Sequence, residues 1–158
     1  MRLASRRSGQ RSLARDIRCI HTFGADRILI SVHKQANAEA LARRIHNRGR
    51  SPTAPFDTVD CGAPAAVLEN SLFGRLTQLR GETGGTLFLS EVGKLGPEHQ
   101  ARLLKALIEC REASWPEPMT PRAIASTSEA LFDRVQDGTF DLRLFYRLNV
   151  IHIDLRQE

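Results

Sequence analysis

The amino-acid sequence predicts an α/β fold, a three-layer sandwich in which helices cover both faces of a parallel sheet. Short apolar runs rich in β-branched residues recur along the chain. Segments with helical periodicity, or with proline in a first helical turn, lie between those runs. Strands that alternate with helices in this way are typical of parallel sheets that are buried on both faces.

Five short segments have the composition of strands. Each is five or six residues long and contains β-branched or other large apolar side chains, as a buried strand does. The predicted strands are Arg27–Ser31, Phe56–Asp60, Thr86–Ser90, Arg122–Ser126 and Val150–Leu155.

Helices are predicted between these strands. In the second predicted helix Leu41, Ala42 and Ile45 share one face, which is the pattern of a helix packed on a sheet. Pro64 and Pro97 each stand in a first helical turn, where proline is well tolerated. The predicted helices span 12–23, 38–47, 64–73, 97–109, 128–136 and 141–147.

Length and charge suggest two parts, a basic N-terminal tail over 1–11 and one α/β domain over 12–158. The net charge is +5, and residues 1–50 hold twelve Lys and Arg but only three acids. Such a basic segment either contacts nucleic acid or an acidic protein surface, or is a solvated helix. No apolar run approaches the roughly 20 residues that cross a bilayer, so no membrane contact is expected.

The segment from Gly84 to Leu107 is the most informative part of the chain. It combines an apolar strand, an acidic strand tip (Ser90-Glu91) and an amphipathic helix. It resembles the Walker B region of the AAA+ domain of sigma-54-dependent bacterial transcription activators. That family usually has Asp-Glu at the tip, so Ser90 stands where the metal-organising Asp is usual and no metal ligand is expected. Glu91 matches the catalytic glutamate.

The resemblance extends over roughly residues 12–155 and implies a fold and a nucleotide site. The implied sheet has five parallel strands in the order 5-1-4-3-2, as in the P-loop NTPase/AAA+ α/β subdomain. The family's phosphate loop, Gly-x-x-Gly-x-Gly-Lys followed by an acid, falls on 32–39. None of its glycines is kept and its lysine is replaced, which leaves a vestigial loop. The residues at these positions are Val32, His33, Lys34, Gln35, Ala36, Asn37, Ala38 and Glu39.

Two further motifs of the family fall on this chain. Ser128 follows Thr127 at the sensor position, where Asn is usual. Phe140–Val150 resembles the helix that presents two arginines to the ATP of a neighbouring subunit; the first falls on Asp141 and the second on Arg147. The resemblance therefore implies that Arg147 is a trans arginine finger, or else holds its helix against its own sheet.

Two family segments have no counterpart in this sequence. The sigma-54-contacting loop would follow Gly74, but Gly84 and Gly85 come within twelve residues. The chain ends after the fifth predicted strand, before any helical lid or DNA-binding helix-turn-helix. The resemblance thus implies a degenerate, truncated member of the family, for which direct contact with sigma-54 is not expected.

These observations predict a non-catalytic, pseudo-ATPase regulator of transcription in the bacterial cytoplasm, acting through protein–protein contacts. Intact sigma-54 activators, or a second copy of the chain, are the expected partners, and no cofactor is expected. Three alternatives stay open. The chain is a divergent ATPase that uses Glu91 with ATP and Mg²⁺, a nucleic-acid-binding module that uses its arginine-rich start, or a decaying gene fragment that still folds.

Overall fold

A computed structural model describes residues 13–15, 17–18, 27–49, 52–81, 85–112 and 122–156, and within it the side chains of 78–81 and 110–112 are not described. Residues 13–15 and 17–18 are helical, in agreement with the predicted leading helix. The rest of that helix, the basic tail over 1–11 and residues 113–121 of the loop that the prolines predict over Glu112–Pro121 lie outside the described residues. No helix in the described ranges is long and apolar enough to cross a membrane.

Five parallel strands form one sheet in the order β2-β3-β4-β1-β5. This order is the one that the family resemblance implies, and it is confirmed. Each strand lies within one residue, at either end, of the segment that the apolar runs predict. The strands are β1 (Arg27–Ser31), β2 (Phe56–Asp60), β3 (Thr86–Ser90), β4 (Arg122–Thr127) and β5 (Ile151–Asp154).

Helices follow the strands and cover the sheet. We number them α1 (Gln35–Asn47), α2 (Ala65–Gly81), α3 (Pro97–Glu112), α4 (Leu131–Gln136) and α5 (Leu142–Leu148). Within α2 the five residues Glu69–Phe73 form a π-helical turn between two α-helical pieces. A single 3₁₀ turn, Val92–Lys94, links β3 to α3.

Two apolar clusters occupy the two faces of the sheet. One packs the inner face of α1 against β1, β4 and β5, with Leu41, Ala42 and Ile45 in the predicted orientation. The other, which is larger, joins α2, α3 and α5 to the opposite face and includes Leu103, Leu104 and Leu107. The helix face that the sequence predicts for α1 is therefore the buried one.

Four predicted helix boundaries are wrong by three residues or more. Helix α3 ends at Glu112 rather than at 109, and α4 begins at Leu131 rather than at 128. Helix α1 begins at Gln35 rather than at 38, so it takes in three positions of the predicted phosphate loop. Helix α2 continues past 73 to Gly81, because Gly74 adopts helical angles (φ −60, ψ −45) and Leu76 is buried in the larger cluster. The π turn buries Leu72, and the α-helical pieces on either side of it bury Leu68 and Leu76.

Candidate functional site

The carboxyl ends of the central strands meet at one edge of the sheet. β3 ends at Ser90, and the pairing of Leu89 with Ala125 places Ser126 of β4 beside it. In open parallel α/β sheets, ligands bind in the crevice outside these strand ends. A nucleotide site in this sheet would therefore lie at this edge.

The predicted phosphate-loop positions form a short connection. β1 ends at Ser31 and α1 begins at Gln35, which leaves three residues between them. The first, Val32, is buried, and its N–H donates to the Thr127 carbonyl at 3.0 Å. Among the described residues, Glu91 is the one non-glycine residue with positive φ. An anion-binding nest needs right- and left-handed residues in succession, so these positions do not form one.

Most side chains of the connection and the first turn of α1 face solvent. Lys34, Ala36 and Asn37 are exposed. His33 is exposed too, and its Nε2 lies 3.1 Å from the carbonyl oxygen of Arg156, beyond β5. In the structure these four residues are surface residues rather than a ligand cradle.

The position of the family's phosphate-binding lysine points inward. Ala38 is fully buried in the cluster between α1 and the sheet. The next residue, Glu39, binds Arg43 one turn along the helix, with Oε1 2.8 Å from the guanidinium. Neither residue is directed at the strand ends.

Gln35 is the residue of the connection that reaches the strand ends. Its Nε2 donates to the Glu91 carboxylate at 2.7 Å. Its Oε1 accepts hydrogen bonds from the hydroxyls of Ser126 on β4 and Ser90 on β3. One amide thus spans the ends of both central strands, in the crevice where a ligand of such a sheet would lie.

The carboxylate of Glu91 is buried, and the groups that donate hydrogen bonds to it are neutral. Besides Gln35, the Ser128 hydroxyl donates to Oε1 at 2.7 Å and the Ser128 N–H donates to Oε2 at 3.3 Å. The side chain is 8% exposed, and in the part of the chain that the structure describes it forms no ion pair. Glu91 also has a left-handed backbone (φ 54, ψ 51), a conformation that costs a non-glycine residue free energy.

The structure thus joins three predicted site residues, Glu91, Ser90 and Ser128, through one that was assigned to the phosphate loop, Gln35. We call Gln35, Ser90, Glu91, Ser126 and Ser128 the strand-end network. Ser90 contributes a hydroxyl rather than a carboxylate. No group of three or more His, Cys, Asp or Glu suited to a metal ion occurs among the described residues.

Cys61 follows β2 next to this network and lies in a dry environment. Its side chain is 2% exposed. Burial, and then the nearby carboxylates of Asp60 and Glu91, raise the pKa of the thiol to about 12. Asp60 does not pair with Glu91; its Oδ1 accepts the N–H of Gly62 at 2.9 Å.

Arg147 lies apart from the strand-end network, near the end of α5. Its side chain is half-buried, and in the described ranges it has no hydrogen bond or ion pair. Its neighbour Tyr146 is 62% exposed, and Leu142, one turn earlier, is 48% exposed. Phe145 packs inward beneath them. An arginine without a partner beside exposed apolar side chains can bind an anionic group of another molecule.

The sheet order, the helix after β1 and the acid at the tip of β3 define a class of domain. They are the features of the P-loop NTPase fold, in its AAA+ form. Residues 10–154 match the family model of the sigma-54 interaction domain. The chain belongs to this family.

Two curated relatives show the extent of the similarity. The transcriptional regulatory protein FlbD of Caulobacter vibrioides is 36% identical over 146 residues, which cover 81% of this chain and 32% of FlbD. The regulatory protein AtoC of Escherichia coli is 37% identical over 146 residues, with the same two coverages of 81% and 32%. The chain thus spans about a third of the length of these relatives.

Solved structures agree with the sequence comparison. NtrX of Brucella abortus in complex with ATP superposes with a TM-score of 0.77 at 27% identity, over 94% of this chain and 37% of NtrX. The P-loop NTPase domain of an E. coli sigma-54 activator shares the fold, with a TM-score of 0.66 at 18% identity, over 99% of this chain and 97% of that domain.

Sequence reasoning missed the role of Gln35. The family pattern places this residue in a vestigial phosphate loop, whereas in the structure its amide binds Glu91 and two strand-end serines. The available signal was weak. The Gln35 side chain can both donate and accept hydrogen bonds, and the sequence places an acid and several serines at the ends of predicted strands.

Proposed function

We propose that this chain is a non-catalytic AAA+ domain of the sigma-54 activator family, a pseudo-ATPase that regulates transcription through contacts with other proteins. The observation that carries the proposal is the strand-end network. The carboxylate that would act on ATP in a competent relative is bound by the Gln35 amide and by Ser128. The function of the carboxylate here is to hold the strand ends together.

The residues at the strand ends lack the charges that ATP and Mg²⁺ require. A phosphate loop supplies backbone N–H groups and a lysine, and a Walker B acid helps to hold Mg²⁺. In this chain the lysine position is the buried Ala38, and Ser90 carries no negative charge. NtrX was solved with ATP and with ADP, so nucleotide binding is the property in which the two domains would differ.

Arg147 gives this domain a means of acting on a partner. It has no hydrogen bond or ion pair within the described part of the chain, and exposed apolar side chains lie beside it. The family resemblance makes the partner an intact sigma-54 activator, to whose ATP Arg147 would be presented in trans. If two copies of this chain associated through the same surface, neither copy would hold a nucleotide to which Arg147 could bind.

A mixed assembly tests this proposal. The chain is titrated into the AAA+ domain of an intact activator such as AtoC, while sedimentation velocity follows association and phosphate release follows the partner's ATPase rate. We expect association and a change in that rate. Arg147→Ala should abolish the rate change and leave association in place. The matched control is Arg143→Ala, since Arg143 lies on the same helix and pairs with Asp141. Absence of association would refute the proposal.

The alternatives give different results in the same assays. A divergent ATPase would release phosphate by itself and lose this activity in Glu91→Gln. A nucleic-acid-binding module would bind DNA with a steep dependence on salt, lost when residues 1–18 are removed. A decaying fragment would fold and do neither.

A further inference from the structure

We propose that Gln100 is a positioning residue that fixes helix α5 to the turn after β3 and thereby orients Arg147. The inference rests on the proposed function, because the arginine that it orients is the one presented to a partner. Gln100 lies in the first turn of α3 and is 3% exposed. No sequence motif singles it out.

All the hydrogen-bonding groups of the Gln100 amide are directed at main-chain atoms of two other segments. Nε2 donates to the Leu95 carbonyl at 2.8 Å and to the Thr139 carbonyl at 3.1 Å. Oε1 accepts the N–H of Asp141 at 2.8 Å. A glutamine whose two donors and one acceptor are all used in this way specifies one arrangement of the segments that it joins.

One of these contacts is made to the residue that begins α5. Asp141 is the N-cap of the helix, and its Oδ1 accepts the N–H groups of Arg143 and Leu144 at 2.7 and 3.2 Å. Gln100 thus holds the capping residue through its backbone while the side chain of that residue holds the helix.

Helix α5 depends on such anchoring because it is short. Its seven residues make fewer than two full turns, and a helix of that length is not stable by itself. One face of the helix is buried through Leu144, Phe145 and Leu148. This packing fixes how far the helix lies from the sheet. Arg147 lies about 9 Å along the axis from Asp141 at 1.5 Å per residue, so a tilt of about 15° at the cap moves it by roughly 2 Å.

The other end of the Gln100 contact leads back to the strand-end network. Leu95 closes the turn that begins with Glu91, since the Leu95 N–H donates to the Val92 carbonyl. Arg134 of α4 donates to the Gly93 carbonyl in the same turn. The segment Glu91–Leu95 is therefore bonded to the strand ends, to α4 through Arg134 and, through the Gln100 amide, to the residue that caps α5.

The test uses the single tyrosine of the chain. Tyr146 is next to Arg147 and 62% exposed, so 3-fluorotyrosine gives one ¹⁹F resonance that reports on α5. Gln100→Met keeps the length of the side chain and removes its hydrogen bonds. We expect this substitution to move or broaden the resonance and to speed hydrogen exchange of the Asp141, Arg143 and Leu144 amides by about tenfold or more.

A control of comparable instability separates positioning from a general loss of stability. Leu41→Ala removes core contacts between α1 and the other face of the sheet. It should leave the ¹⁹F resonance in place and change the α5 amides no more than the rest of the chain. If Gln100→Met does not fold, Gln100→Asn keeps the amide on a side chain too short to reach both segments, and the same comparison applies. An unchanged resonance, or the same change in Leu41→Ala, would overturn the proposal.

The partner assay distinguishes this inference from the proposed function. Gln100→Met should weaken the effect of the chain on the partner's ATPase rate, and it should have no further effect when Arg147→Ala is already present. A wild-type chain without any effect on the partner would refute the proposed function alone. The ¹⁹F resonance and the hydrogen-exchange rates would still test whether Gln100 fixes the position of α5.

Discussion

The strand ends and helix α5 differ in how their polar side chains are partnered. At the strand ends, Gln35 and Ser128 both bind Glu91, and the carboxylate is shielded from water. On α5, Arg147 has no partner in the described part of the chain, and Tyr146 beside it is exposed. Buried polar groups that are fully paired stabilise a fold, whereas unpaired exposed ones remain available to bind. This difference supports the proposed function, in which the strand ends have a structural role and the α5 surface meets a partner.

The largest effect is expected when the family's lysine is put back. Ala38→Lys would place an ammonium in the fully buried cluster beneath α1. We expect a loss of about 3 kcal/mol or more in the free energy of unfolding, and no gain of ATP binding. Ala40→Lys is the matched control, since Ala40 is exposed on the same helix. Urea denaturation checks both, and equal stabilities would contradict the burial of position 38.

Removal of the Gln35 amide should have the next largest effect. Gln35→Ala takes a hydrogen bond from the buried Glu91 carboxylate and an acceptor from two serine hydroxyls. We expect a loss of about 2 kcal/mol, since hydrogen bonds to charged groups are the stronger ones. Asn37→Ala changes an exposed side chain in the same turn and should cost little. A loss of stability no larger in Gln35→Ala than in this control would mean that the network stabilises nothing.

Alkaline pH should destabilise the protein through Cys61. Burial, Asp60 and Glu91 raise the pKa of this thiol from 9.0 to about 12 in the folded state. The unfolded chain loses the proton first, so this contribution is present below pH 9 and is lost as the pH rises from 9 towards 12. The slope approaches about 1.4 kcal/mol per pH unit, and the loss by pH 10 is about 1.4 kcal/mol. Cys61→Ala should remove this component of the slope, and identical pH profiles for the two proteins would contradict the buried thiol.

The smallest effect is expected at Arg147. Arg147→Ala removes a half-buried side chain with no described partner and should change the free energy of unfolding by no more than about 0.5 kcal/mol. Arg134→Ala is the matched contrast, because Arg134 donates to the Gly93 carbonyl and pairs with Glu129. A loss for Arg147→Ala as large as that for Arg134→Ala would show that Arg147 is structural, and thermal unfolding measures both.

The sequence predicts the sheet well because its strands are buried and short. The predicted β1, β2 and β3 have the observed bounds, since each apolar run is set off by polar or turn-forming residues. The second piece of α2 was missed because it begins with Gly74 and its helical pattern is interrupted by the π turn. The local hydrophobic pattern does not reveal that Leu76 is buried in the core.

The family pattern predicted which positions belong to the candidate site, but it did not predict all the contacts between them. Glu91 and Ser128 meet as the strand order requires, but the Gln35 contact depends on where α1 begins. Helix α1 begins at Gln35 because the following residues accept ordinary helical angles once no glycine loop precedes them. Gln100 gave no signal, since its partners are main-chain atoms that are distant in sequence.

A titration with Mg-ATP tests the central claim most directly. The free energy of unfolding is measured by thermal shift against increasing Mg-ATP and Mg-ADP, with the AAA+ domain of an intact activator in parallel. A ligand at 100 times its dissociation constant adds about 2.7 kcal/mol of stability. The strand-end network predicts no saturable shift for this chain up to millimolar nucleotide. A saturable shift in the wild-type chain would contradict the account and reopen the divergent-ATPase alternative.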